Sequence, residues 1–349
     1  MKNNRIKILV LMIFLLMTTG CGNKKYIIDD EKKIVKYEET DQMLQKDILC
    51  LPDSNGKLYE VYEKYNDQLK IPFDELPKCT DFKVNSNAST GLWEGLFVKP
   101  LAYLILALGR VVNNLGLSLI IIGLLIRLIL LPFTIKSSRQ TYNMRKAQPE
   151  LEKLERKYRN RNDNDALMAK SQEMMLIYKK YKVNPMLGCL LAFIQLPVFI
   201  AFLHAIYRVP AIYEESLLGF NLGMSPLKGI TSGNYLYILL LVLIAASTYF
   251  SFKQTLKQTP QTTPEAESQM KIMIYVMLIV IIYGSFSLPT ALAFYWIITY
   301  AFIAVQNILL NYINEKTIGA DKKGNKKNKK EKIKKRLEKK EGMKYGKDN

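Results

Sequence analysis

The residue with the most unusual chemistry in this chain is Arg127, a permanent cation within the apolar run from Leu115 to Ile135. It lies twelve residues after the start of that run and eight before its end, about 18 Å and 12 Å along a helix. An arginine at the centre of a membrane costs about 2.5–3.5 kcal/mol. The long apolar runs of the sequence contain no Asp or Glu that could pair with it. We therefore expect water and polar side chains, with Gln195 the best placed, to solvate Arg127 in a water-filled cavity, here named the groove; the alternative is that its side chain reaches the headgroup layer.

The sequence gives no indication of metal, nucleotide or redox chemistry. Its single His and four scattered Cys form no ligand cluster, and it contains no glycine-rich phosphate-binding motif. The chain is therefore predicted not to be an enzyme and to need no cofactor. Polar side chains in the other apolar runs either line the groove or bond to neighbouring helices. These residues are Ser247, Thr248, Thr299, Gln306 and Asn307.

Five apolar runs of about 20 residues are predicted to position Arg127 and Gln195, because that length is needed to cross the hydrocarbon layer. The chain is 49% hydrophobic and 23% charged, and the two kinds of residue are segregated along it. The predicted spans are 115–135, 185–207, 235–252, 272–288 and 291–313, with a polar loop at 253–271. The predicted fold is an all-α membrane protein, with five transmembrane helices around the groove in a core at 114–313 and a cytoplasmic helical hairpin at 136–182.

Charge predicts how these spans are oriented. Residues 136–182 hold 13 Lys and Arg against 6 Asp and Glu, a net charge of +7. The tail at 314–349 holds 15 against 6, a net charge of +9, whereas the loop at 208–233 is neutral. Five spans from an outside start put both basic segments in the cytoplasm, as the positive-inside rule requires. We expect a multi-pass protein of the plasma membrane with its C-terminus inside.

The first 20 residues are predicted to be a signal peptide, with a basic start, an apolar stretch and small residues before Cys21. This pattern is typical of lipoprotein processing, in which Cys21 becomes the lipid-modified, palmitate-bearing N-terminus. The alternatives are ordinary cleavage and an uncleaved anchor. Residues 21–91 would then be an extracytoplasmic segment, in which Cys50 and Cys79 either pair or stay free. Residues 92–113 are predicted to be an interfacial helix, with an additional span as the alternative.

The basic segment at 136–182 has two apolar stripes at helical spacing. Residues 159–165 between them have the composition of a turn. Two facing stripes predict a short antiparallel coiled coil. The stripes are Ala147, Leu151, Leu154 and Tyr158 on the first arm, and Leu167, Met174, Tyr178 and Tyr181 on the second.

Three long stretches resemble the YidC family of membrane protein insertases, in its Gram-positive lipoprotein type. They are GLSLIIIGLLIRLILLPFTIKSSRQTYNMRKAQPELEKLERKY, YKKYKVNPMLGCLLAFIQLPVFIAFLHAIYR and ALAFYWIITYAFIAVQNILLN. The resemblance covers roughly residues 92 to 313. It implies a chaperone that inserts and folds membrane proteins, alone or beside the Sec translocon. It also implies that Arg127, Gln195 and Trp296 line the client-binding groove.

The expected partners are nascent membrane proteins, the Sec translocon, the ribosome and anionic lipids. The Lys-rich tail is expected to dock on ribosomal RNA through phosphate contacts, as the resemblance implies, or to act only as an anchor on anionic lipid. A competing function is a small-anion transporter or channel that uses Arg127 as its binding charge. Such a protein would favour inverted repeats or broken helices in both halves, and the sequence has no sign of either.

Overall fold

The protein is described by a computed structural model, which describes residues 25–86, 91–161, 163–184, 186–258, 264–314 and 316. The predicted signal peptide, Cys21 and nearly all of the basic tail lie outside the described residues. Residues up to Ala304 group into one compact unit and those from Val305 onward into a second. Where it is described, the second unit is helical.

The described part of the chain is mainly helical, as predicted. The helices are α1 (Lys57–Lys64), α2 (Lys99–Val112), α3 (Leu115–Tyr158), α4 (Asn164–Lys180), α5 (Met186–Arg208), α6 (Ala211–Glu214), α7 (Pro226–Thr231), α8 (Leu236–Gln258), α9 (Pro264–Ser287) and α10 (Thr290–Asn314). A π-helical turn, Glu94–Val98, leads into α2. Short 3-10 turns lie at Asn66–Gln68 and Phe73–Glu75.

Two small antiparallel hairpins accompany the helices. Strand β1 (Lys36–Tyr37) pairs with β2 (Gln42–Met43), with Lys36 opposite Met43. Strand β3 (Ser216–Leu217) pairs with β4 (Phe220–Asn221). The turn between β3 and β4 has positive φ at Leu218 (53°) and Gly219 (83°). Two consecutive left-handed residues are the backbone of a tight two-residue hairpin turn, which glycine adopts without strain.

Four helices in the described part of the chain are long and apolar enough to cross a membrane: Glu94–Val112, Leu115–Tyr158, Leu236–Leu256 and Thr290–Asn314. Two shorter apolar helical stretches are Ile194–Arg208 and Ile274–Ser287. The first of the four long helices covers the segment predicted to be interfacial. The count of five spans and the interfacial position of that segment therefore stay predictions.

The junction between α2 and α3 is a sharp corner built by two asparagines. Asn113 adopts a left-handed backbone with φ of 58° and ends α2. Asn114 has an extended backbone, and its side-chain oxygen accepts a hydrogen bond from the Leu117 N–H at 2.9 Å. This is the usual N-cap arrangement, which satisfies a free donor of the first turn. The long helix that carries Arg127 therefore starts at a defined residue.

The first predicted span and the first arm of the hairpin form one uninterrupted helix, α3, of 44 residues. It continues past Pro132 and Pro149, and at 1.5 Å per residue it is about 66 Å long. Helix α4 packs back against its C-terminal part, so the predicted hairpin is present. The prediction of a polar loop at 253–271 was wrong where the structure describes it, because α8 extends to Gln258 and α9 begins at Pro264.

The hairpin buries the whole first predicted stripe, Ala147, Leu151, Leu154 and Tyr158. The second stripe was partly wrong, because Leu167 is 52% exposed and Ala166 takes the interface position at 5% exposed. Ion pairs between the arms join Lys157 to Glu173 at 2.5 Å, Lys170 to Glu155 at 2.7 Å and Lys180 to Glu150 at 2.6 Å. Hydrogen bonds from Lys180 and Tyr181 lower the pKa of Glu150, and those from Lys157 and Tyr158 lower the pKa of Glu173.

Candidate functional site

Arg127 lies within α3, one residue before Leu128, whose carbonyl receives no helical hydrogen bond because Pro132 lacks an N–H. The Arg127 side chain is only 8% exposed. Its Nη2 atom is buried and has no hydrogen-bond partner among the residues that the structure describes. A buried guanidinium nitrogen without an acceptor is costly, because each unmade bond keeps the full desolvation penalty. The site therefore contains a buried guanidinium nitrogen without an acceptor among the described residues.

Tyr295, which is 2% exposed in α10, connects the elements around Arg127. Gly123 lies one helical turn before Arg127 on the same face of α3, and a Cβ at Gly123 would stand 3.3 Å from Tyr295 Cδ2. Gln195 of α5 donates a hydrogen bond from Nε2 to the Tyr295 hydroxyl at 3.1 Å. Tyr295 and Tyr300 lie near enough to Arg127 to interact with its charge. Arg127 and Gln195 are thus linked through Tyr295, on which α3, α5 and α10 converge.

Tyr295 is the site residue that sequence reasoning missed. Its ring stacks on Phe202 of α5, with the ring centroids 4.3 Å apart. From sequence, Tyr295 and its neighbour Trp296 are typical of an aromatic belt at the membrane surface. One signal in the sequence was the spacing of Tyr295 and Thr299, since polar residues four apart lie on one face of a helix.

Trp296 occupies a packing position between α5 and α9. It is 6% exposed, and its ring stacks on Phe199 with centroids 5.6 Å apart and planes 9° apart. Gly284 of α9 approaches it closely, since a Cβ there would stand 3.9 Å from Trp296 Cη2. The hydrogen bond from Gln195 to Tyr295 joins Gln195 to the surroundings of Arg127. Trp296 instead stacks on Phe199. A groove-lining role for Trp296 stays a prediction.

Further hydroxyl groups are buried within the helices around this site. Thr248 of α8 is fully buried and Thr299 of α10 is 2% exposed. The Thr248 Oγ1 atom has no hydrogen-bond partner in the described ranges, whereas the Thr299 hydroxyl lies beside the Tyr295 hydroxyl. By contrast, Ser247 and Ser285 donate to carbonyls of their own helices, at Ile244 and Ile282. Buried polar atoms are normally satisfied by protein or by ordered water, so the free Thr248 hydroxyl supports hydration of the interior at α8.

The other predicted site residues are three cysteines. Cys50 and Cys79 are joined by a disulfide in the structure, whereas Cys21 lies outside the described residues. Among the residues that are described, no cluster of His, Cys, Asp and Glu is suited to hold a metal ion. The chemistry that the site offers is therefore the attraction of a buried cation for a carboxylate or for water.

The sequence of this chain is similar to those of a known protein family. The family model described as "60Kd inner membrane protein" matches residues 107–317. The chain is 34% identical over 241 residues to the membrane protein insertase YidC of Oceanobacillus iheyensis, covering 68% of this chain and 90% of that protein. It is also 34% identical over 237 residues to the membrane protein insertase MisCA of Bacillus subtilis, covering 67% and 85%.

A solved structure is similar as well. It is described as "Active YidC insertase crystal structure with the first transmembrane domain resolved" and is 26% identical, with a TM-score of 0.45. The similarity covers 64% of this chain and 48% of that one, so this chain spans about half the length of the solved protein. The family match extends over more than half of the chain and includes Arg127, Gln195 and Trp296. The chain therefore belongs to the 60Kd inner membrane protein family, the family of the YidC membrane protein insertases.

Proposed function

We propose that this protein inserts and folds membrane proteins, and that Arg127 is the charge that receives them. The observation that carries the proposal is the buried Arg127 side chain, whose Nη2 has no partner among the described residues. Family membership supports the insertase function, since the relatives are named membrane protein insertases. A client with an acidic residue in its polar tail would supply the missing partner.

Electrostatics makes such a contact favourable inside the bundle. Two unit charges 4 Å apart attract by about 4 kcal/mol at an effective dielectric constant of 20, against about 1 kcal/mol in water. No carboxylate in the predicted spans competes for Arg127. The hydrogen bond between Gln195 and Tyr295 and the buried hydroxyl of Thr299 beside Tyr295 add polar groups nearby. These groups would shorten the hydrocarbon path that a client's polar tail must cross.

The driving force for insertion comes from the client and the membrane rather than from a nucleotide. Burying the client's apolar helix in lipid is worth about 0.8 kcal/mol per CH₂ group. An inside-negative potential favours outward movement of an acidic tail by about 2.3 kcal/mol per charge for each 100 mV. A passive groove that holds the tail part-way is sufficient for this mechanism.

The proposed orientation in the plasma membrane follows from where the Lys and Arg residues lie along the chain. Five spans, an extracytoplasmic and lipid-modified Cys21 and a cytoplasmic C-terminus would place the hairpin of α3 and α4 in the cytoplasm. The basic tail would then meet ribosomes and anionic lipid on the side where clients are made, and the Sec translocon would be a neighbour in the membrane.

Reconstitution tests the function directly. The purified chain is placed in proteoliposomes, and a short single-span client with an acidic tail is added without nucleotide. We expect the tail to become protected from protease inside the vesicles, and to stay digestible with protein-free vesicles. The same vesicles are assayed for the flux of small anions. Anion flux without client protection would replace the insertase proposal by the anion-channel alternative.

A further inference from the structure

Residues 25–86, here named the cap, form a folded segment at one end of the helices. The family match begins at residue 107, so the cap lies outside the part of the chain that the family model describes. The cap contains β1, β2 and α1 and is closed by the disulfide between Cys50 and Cys79. Its buried residues share one hydrophobic cluster with those of α5 and α10.

The cap contacts the ends of two helices, α5 and α9, and the segment that follows α5. Four hydrogen bonds with main-chain donors or acceptors join it to them. They run from Leu49 N–H to Arg208 O at 2.8 Å, from Ser225 N–H to Thr40 O at 3.1 Å, from Asp53 N–H to Glu214 Oε2 at 3.0 Å and from Gln42 Nε2 to Ser287 O at 3.4 Å. The cap therefore covers this end of the bundle.

A group of buried charges lies where the cap meets α5 and the start of α2. Arg208 Nη2 is 2.5 Å from Asp47 Oδ2 of the cap, with side chains 9% and 5% exposed. Arg208 Nη1 is 3.6 Å from Glu94 Oε1, whose side chain is 11% exposed. Lys99, which is 1% exposed, donates from Nζ to the carbonyl of Ser86 at the end of the cap. These two acids and two bases form a buried set of charges, named the latch, and the partly exposed Lys70 also reaches Asp47 Oδ2 at 3.4 Å.

The latch orients the cap more than it stabilises the fold. Buried ion pairs gain little net stability over apolar packing, but losing one partner leaves an uncompensated charge and is strongly unfavourable. Asp47 Oδ1 and Arg208 Nη1 have no hydrogen-bond partner in the part of the chain that is described. The latch is thus incompletely satisfied, while the apolar contacts around it are non-directional.

We propose that the cap is a lid that seals this end of the bundle, and that the latch formed by Asp47, Arg208, Glu94 and Lys99 holds the lid in its closed position. Breaking the latch opens the lid locally and leaves the helices folded. The inference concerns the chain's own architecture and stands independently of the insertase function.

Thiol labelling of the full chain in nanodiscs tests the lid. Val209, adjacent to Arg208, is fully buried and is replaced by Cys as the reporter. Its reaction with a water-soluble thiol reagent is followed by mass spectrometry of that peptide, so the other thiols do not interfere. We expect Asp47→Asn to speed labelling roughly 100-fold or more, which corresponds to the loss of one partner of a buried pair. Arg208→Lys retains the charge and should label much more slowly than Asp47→Asn.

The controls separate opening of the lid from general unfolding. Glu31→Gln breaks an exposed ion pair of the cap, whose side chains are 73% and 72% exposed, and should leave labelling unchanged. A second reporter, Leu240→Cys, replaces a residue of α8 that is 2% exposed and should stay protected. Labelling of Val209→Cys at the parent rate in Asp47→Asn, or equal labelling of both reporters, would overturn the proposal. If Asp47→Asn yields no folded protein, Glu94→Gln carries the test, with about tenfold faster labelling expected and the parent rate as the refuting result.

Discussion

Truncation of Leu154 to alanine tests the packing of the hairpin between α3 and α4. Leu154 is 5% exposed and packs with Tyr158 and Ala166, and Met174 and Ile177 border this cluster. Leu→Ala in a core costs about 2–5 kcal/mol, depending on how far the site can collapse. A two-helix interface collapses more easily than a closed core, so we expect about 2–3 kcal/mol for closing the hairpin. This reduces the closed-to-open ratio roughly 30- to 150-fold.

Hydrogen exchange of the α4 amides in the full chain measures this ratio. Leu167→Ala is the matched control, because it makes the same chemical change one residue after Ala166, at a side chain that is 52% exposed. An exposed substitution of this kind changes stability by about 0.5 kcal/mol or less. Faster exchange in Leu154→Ala alone is the expected result. An equal effect of Leu167→Ala would show that Leu167 faces α3 and would refute the packing described above.

Three further predictions concern topology, pH dependence and the tail. Cysteines placed at Asn164 and Asn349 should resist membrane-impermeant thiol reagents in intact cells, whereas one at Asn55 should react; labelling at Asn164 would reverse the proposed orientation. Burial raises the pKa of Glu214 above its usual value, so its contribution to stability is full at low pH and is lost as the pH rises through the folded-state pKa. Glu214→Gln should therefore raise the Tm at pH 7 and leave it unchanged at about pH 4, and a lower Tm at pH 7 would contradict this. Truncation after Asn314 should weaken ribosome co-sedimentation and flatten its salt dependence between about 50 and 200 mM, and unchanged co-sedimentation would leave the tail as a lipid anchor only.

Residue patterns were sufficient to predict most helices, because the relevant signals are local. Apolar runs of spanning length predicted α3, α5, α8, α9 and α10. The observed helix ends differ from the predicted span ends because a change from apolar to charged residues marks the membrane surface but does not end a helix. Helix α3 continues for about 23 residues beyond Ile135, to Tyr158, since its polar part keeps helical periodicity and each added residue gains a backbone hydrogen bond.

The second arm of the hairpin shows the limit of periodicity. Residue size favours Leu167 as an interface position, but the structure buries Ala166 and exposes Leu167. A small residue permits close approach of the helices. In this register Glu173 pairs with Lys157 and accepts a hydrogen bond from the Tyr158 hydroxyl at 2.9 Å. A register fixed by contacts across the hairpin cannot be read from one arm alone.

The contacts of Tyr295 and the docking of the cap lay beyond sequence reasoning for a different reason. Tyr295 bonds to Gln195, which lies 100 residues earlier in the sequence. Arg127, which also lies near it, is further still along the chain. The partner of Asp47 is likewise distant, at Arg208. Which faces of separate helices meet is decided by tertiary packing, which a single sequence does not reveal. By contrast, Arg127 was predictable, because a charge inside an apolar run is unusual in any fold.

The central claim is that the charge of Arg127 receives acidic clients, and insertion by Arg127 variants in proteoliposomes tests it most directly. Arg127→Ala should reduce insertion of an acidic-tailed client about tenfold or more, because losing only 1.4 kcal/mol of attraction is sufficient for that factor. Arg127→Lys should restore part of the activity, since it keeps the charge but not the planar guanidinium. A client with a neutral tail should be inserted similarly by all three proteins. Equal insertion of the acidic-tailed client by the Ala and Lys variants would contradict the claim.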